Sequence, residues 1–174
     1  MSNYLDALRY LVGASKMGCD IHWYSETKKD GKWECDQAAS FEKDEDPDYE
    51  HHDMNNFPNR GRDYWLFGLL ADVRCDVPYG FAAKGIPDEL SPEVKTIFDE
   101  WEDDGHSHSY LTREELKAKL AELAPKRAEL LIAPAKGATM EIVQHHINRL
   151  EEIIGNLNAD VPDSDQRIIF CFDN

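Results

Sequence analysis

Two short patterns in this chain set metal-ligating side chains close together. Asp20-Ile21-His22 spaces a carboxylate and an imidazole two residues apart, and Gly105-His106-Ser107-His108 spaces two imidazoles at the same interval. Along a strand, residues i and i+2 share a face with Cα atoms about 7 Å apart, so the first pair converges on one point, and a turn brings the second pair together likewise. Neutral imidazole and carboxylate oxygen suit Zn²⁺ or Mn²⁺. Asp20, His22, His106 and His108 together would fill a four-coordinate site, or leave room for a bound water acidic enough to act as a nucleophile at neutral pH. The blander account has His22 half-buried in a sheet and His106 and His108 hydrogen-bonding nearby helix ends. A second group, Arg60-Gly61-Arg62-Asp63, precedes a long apolar run. Two arginines on a glycine-containing loop beside helix N–H groups make a grip for phosphate, and Tyr64 and Tyr79 offer rings for stacking on a base. The arginines could equally pair with the acidic segment upstream. His51-His52 and His145-His146 are adjacent pairs whose side chains diverge, and no role is assigned to them.

The elements that must position these residues are legible in part. Cys19 to Glu26 alternates, with Ile21 and Trp23 on one face and Asp20, His22, Tyr24 and Glu26 on the other; Asp30-Gly31 supplies a tight turn, and Lys32 to Asp36 returns as the partner strand. Residues 63–73 are apolar nearly all round, the pattern of a buried core helix. Residues 75–90 hold Pro78, Gly80, Gly85 and Pro87 and read as loop. Ser91-Pro92-Glu93 opens a helix through Trp101, and Thr112 with Glu115 forms a capping box opening another to about Leu123. Between them, 103–110 reads as a connecting loop, and 125–138, punctuated by Pro125, Pro134 and Gly137, as short helix and linker. From Thr139, the spacing of Met140, Val143, Ile147, Leu150 and Ile154 predicts a helix packed on one face and closed by Gly155 as a left-handed cap. Arg167 to Asn174 is a β-rich run suited to pairing beside the N-terminal hairpin. The expected fold is therefore α+β: a small antiparallel or mixed sheet, made of the N-terminal hairpin and the C-terminal strand, packed with four to five helices. Residues 2–16 read as an amphipathic helical extension, with Met17 a plausible second start, so the chain divides into an extension over 1–16 and one domain over 17–174.

Composition narrows the functions. The 174 residues carry a net charge of −16, which opposes broad contact with a phosphate backbone and makes direct nucleic-acid binding an unfavourable expectation. No apolar run reaches the roughly 20 residues of a membrane span. Cys19, Cys35, Cys75 and Cys171 form no C-x-x-C pair and read as reduced cytosolic thiols, with a single metal ligand among them as the alternative. The acid-rich segment 42–56 reads as a solvated loop.

Met17-Gly18-Cys19-Asp20-Ile21-His22, Gly61-Arg62-Asp63-Tyr64 with Leu66-Phe67-Gly68, Asp104 to Thr112, and the terminal Phe170-Cys171-Phe172-Asp173-Asn174 resemble a widespread family of small bacteriophage and prophage proteins. The resemblance covers most of 17–174; it implies a phage origin and the cytoplasm of an infected bacterium, and transfers no catalytic residue. The D-x-H and G-H-x-H patterns also resemble the first and last motifs of calcineurin-like metallophosphoesterases, whose intermediate motifs are missing here. The expected function is a metal-dependent hydrolase of a phosphate-containing small molecule or nucleotide, with Asp20, His22, Arg62, His106 and His108 at its centre. The alternative is a non-enzymatic counter-defence protein that sequesters a nucleotide signal or binds a host protein through acidic surfaces at 42–53 and 99–104.

Overall fold

The computed structural model of the protein describes residues 18–36, 62–75, 79–100, 104–132 and 138–173. The expectations for the 1–16 extension, the Met17 start, Arg60 and the 42–56 segment lie outside them. Two strands, β1 (Ile21–Lys29) and β2 (Lys32–Cys35), form the expected hairpin, turned by Asp30 and Gly31 at φ 50° and 80°. Two positive φ values in sequence are what a type I′ turn requires, and Asp-Gly meets that need cheaply. Helices α1 (Tyr64–Ala71) and α2 (Pro92–Glu100) follow, then β3 (His106–Thr112), α3 (Arg113–Ile132), α4 (Ala138–Asn156) and β4 (Gln166–Phe172). The sheet is antiparallel throughout in the order β2-β1-β4-β3, so the C-terminal strand is central and pairs with β1 as expected. The protein is α+β.

Register assigns the faces, because directly paired residues project to the same side. Ile21, Phe172 and His106 share one face; His22 and Cys171 share the other. Phe67 of α1 meets Phe172 with ring centroids 5.1 Å apart, so α1 covers the first face, backed by α4. On the second face, Glu26 accepts the Ser91 N–H at the head of α2 at 2.8 Å. Both faces are thus covered, and all seven residues of β4 are buried. No helix among the described residues is long and apolar enough to cross a membrane.

Three local expectations are corrected. His106 to Tyr110 is strand, not loop: Ser107 at φ 50° forms a bulge between the His106–Phe172 and Ser109–Phe170 pairs, and the extra residue hides the alternation. Helix α3 runs through Pro125 instead of ending near Leu123, with Pro125 at an exposed position. Gly155 lies inside α4, whose end is closed by Asn156 Nδ2 on the Glu152 carbonyl at 2.9 Å and Leu157 N–H on that of Ile154 at 3.2 Å. The Thr112–Glu115 capping box forms as expected, Thr112 N–H donating to Glu115 Oε2 at 2.9 Å and Glu115 N–H to Thr112 Oγ1 at 3.2 Å.

Candidate functional site

At the end of β1, Asp20 and His22 lie on one face with Asp173, which extends β4 beside them. Asp173 Oδ1 accepts the Asp20 N–H at 3.0 Å, and its Oδ2 lies 3.3 Å from His22 Nε2. Arg62 reaches from the start of α1 to grip the Asp20 carboxylate with Nε and Nη2, each at 3.2 Å. Its guanidinium crosses Gly18 where a Cβ would stand, so glycine is needed there for close approach. Cys19 is fully buried, and burial raises its thiol pKa against the lowering effect of Arg74, so it is a poor nucleophile.

His106 and His108 stand two strands away. The His106 ring stacks on Phe172 at 6.1 Å, on the face opposite His22, and His108 packs edge-on to Phe98 at 5.0 Å. Their Nε2 atoms are buried without hydrogen-bond partners among the described residues, and burial followed by the neighbouring His106 lowers the His108 pKa. The fold therefore brings Asp20, His22 and Arg62 together and does not bring His106 to them. Among the described residues, no three His, Cys, Asp or Glu side chains are gathered as a metal would require. Tyr64 is 37% exposed against Phe67, whereas Tyr79 packs on the core beneath Lys126.

The phosphate grip expected at the α1 N-terminus meets a different arrangement. Asp63 is the N-cap, its Oδ1 accepting the Leu66 N–H at 3.1 Å, so a carboxylate already occupies that positive end. The same carboxylate holds His145 of α4: Nε2 lies 2.9 and 2.8 Å from its two oxygens. Arg149, one helical turn on, donates from Nε to Asp63 Oδ2 at 2.9 Å and from Nη1 to Glu152 at 2.7 Å. Burial pushes the Asp63 pKa up, but the bonds from His145 and Leu66, with the charge of Arg149, outweigh it and hold the pKa down at about 2. Asp63 is thus a fixed carboxylate that orients an imidazole. The other ring nitrogen, Nδ1, has no partner among the described residues, and His145 lines a pocket of about 530 Å³ with Trp65, Arg127, Met140 and Gln144.

Sequence reasoning missed this pair because Asp63 and His145 are 82 positions apart. The available signal was an acid at an N-cap position, which a cap alone explains. In the sequence Asp173 stands out only as part of the terminal Phe170–Asn174 motif. Comparison with family models, curated proteins and solved structures finds no match to this chain, so its function is argued from the chemistry of these side chains.

Proposed function

We propose that the protein hydrolyses a phosphate-bearing small molecule, with His145 as general base in the pocket between α1 and α4. The observation that carries this reading is the Asp63–His145 pair: a carboxylate fixed on Nε2, Nδ1 unpartnered, and the imidazole lining a cavity. In such a pair the carboxylate sets the tautomer and stabilises the imidazolium formed as the ring takes a proton. Water loses that proton to Nδ1 and attacks phosphorus; the P–O bond to the leaving group breaks, and the imidazolium returns the proton to the departing oxygen. Arg127 lines the same pocket, as does Glu141; without an ion pair among the described residues, Arg127 supplies positive charge for the phosphoryl oxygens. Asp20, His22 and Arg62 are not needed for this step, nor is a metal.

Turnover of p-nitrophenyl phosphate and bis-p-nitrophenyl phosphate, with and without added Zn²⁺ or Mn²⁺, tests the proposal. His145→Ala is expected to lower kcat by about 10²–10⁴-fold, the span of one general base. Asp63→Asn keeps an N-cap oxygen but removes the charge, and should lower kcat with little change in KM. A wild type inactive on both substrates, or a His145→Ala variant with unchanged kcat, overturns it.

A further inference from the structure

The pocket that holds His145 measures about 530 Å³, inside the roughly 300–1,000 Å³ range of small-molecule sites, and hydrolysis at phosphorus accounts for only part of its wall. His145 and Arg127 serve the phosphoryl group. Trp65, Met140, Glu141, Gln144 and Asn148 line the same space with no part in that step. Trp65 and Met140 are half-buried and make an apolar side. Trp65 meets the His145 ring edge-on with centroids 5.3 Å apart, which places the indole beside the imidazole. An indole next to a phosphate site is a platform on which a flat ring stacks.

The polar side has a defined hydrogen-bonding pattern. Gln144 and Asn148 stand one turn apart on α4, and Gln144 Nε2 donates to Asn148 Oδ1 at 2.5 Å. That bond supports the helix and also fixes both amides. It leaves the Gln144 carbonyl oxygen as an acceptor and the Asn148 amide nitrogen as a donor, neither with another partner among the described residues. Exchanging O and N in both amides leaves the same combination, one acceptor and one donor side by side. The Watson–Crick edge of each nucleobase presents the complementary pair, an N–H next to an acceptor. Glu141 stands one turn before both Gln144 and His145. A carboxylate there repels a phosphate but accepts hydrogen bonds from the hydroxyls of a sugar lying between base and phosphate.

We propose, on the basis of the phosphate-hydrolysis reading above, that the molecule taken by this pocket is a mononucleotide. Its base stacks on Trp65 with its edge on Gln144 and Asn148, its ribose hydroxyls meet Glu141, and its phosphate lies between Arg127 and His145. A sugar phosphate or phenyl phosphate leaves both amides unpaired, so the base is what separates this ligand from them. The net charge of −16 opposes a polymer with many phosphates, whereas a mononucleotide brings one phosphate to one arginine.

The test titrates the full chain, followed by NMR, with the four ribonucleoside 5′-monophosphates and with ribose 5-phosphate, which lacks only the base. The Trp65 indole N–H, identified with Trp65→Phe, reports binding, and ³¹P resonances report phosphate release in the same sample. At least one nucleotide is expected to bind tenfold or more tightly than ribose 5-phosphate, and Gln144→Ala/Asn148→Ala to cut that preference at least fivefold. Both side chains are at least partly exposed and alanine favours helix, so the variant is expected to fold, and circular dichroism checks it. Equal affinity for ribose 5-phosphate, no saturable binding of any nucleotide, or a preference unchanged in the double variant overturns the nucleotide. Base-dependent binding without phosphate release upholds the nucleotide site and overturns hydrolysis; phosphate release without a base preference does the reverse.

Discussion

His146 is fully buried beside the pair that defines the candidate site, and burial first, then the neighbouring His145, pushes its pKa down to about 4. In the unfolded chain an imidazole titrates near 6.5, so between pH 6.5 and 4 the unfolded state binds the extra proton. The stability contributed by keeping His146 neutral is present in full above 6.5 and lost as pH falls toward 4, by on the order of 3 kcal/mol at most. Asp63, lowered from 3.8 to about 2, removes more between those values. Urea midpoints measured against pH should fall in two stages, and His146→Leu should flatten the upper one; an unchanged slope between 4 and 6.5 would place the titration elsewhere. Gly18→Ala should displace the Arg62 guanidinium from Asp20 with little change in stability, because an ion pair with both side chains half exposed contributes little. The Arg62 Nε–H resonance checks the displacement, and the denaturation midpoint checks the cost.

Helix α2 depends on a buried polar contact at its head. Its first turn is anchored by Glu26, 0% exposed, which accepts the Ser91 N–H and pairs with Arg167, 4% exposed. Removing one partner leaves a charge buried alone, so Glu26→Gln or Arg167→Met should cost about 3–5 kcal/mol in chemical denaturation, and the double variant should recover part of that loss. Additive losses would mean that the pair does not act as a unit. The hairpin, the capping box at Thr112 and the C-terminal strand were legible because each depends on neighbours in sequence: a turn dipeptide, an i to i+3 reciprocal bond, a run of β-branched and aromatic residues. Strand β3 was not legible, since its alternation is broken at Ser107 and its pairing is set by β4, some sixty residues later.

For the whole molecule, a charge of −16 implies self-repulsion that salt relieves. Raising NaCl from about 10 mM to about 150 mM shortens the screening length from about 30 Å to about 8 Å, and thermal denaturation should then move to higher temperature. A fall would show that specific ion pairs such as Lys84–Glu115 outweigh the general repulsion. By itself the sequence determined the α+β class, the hairpin with the C-terminal strand beside it, and the closeness of Asp20 to His22, because these follow from local period, turn chemistry and hydrophobic runs. The tertiary structure alone decided that His22 and His106 lie on opposite faces of the sheet, that Asp63 caps α1 and also holds His145, and that Arg62 turns away to Asp20. Those outcomes depend on strand order and on how α4 crosses α1, and contacts between residues distant in the chain leave no period in the sequence.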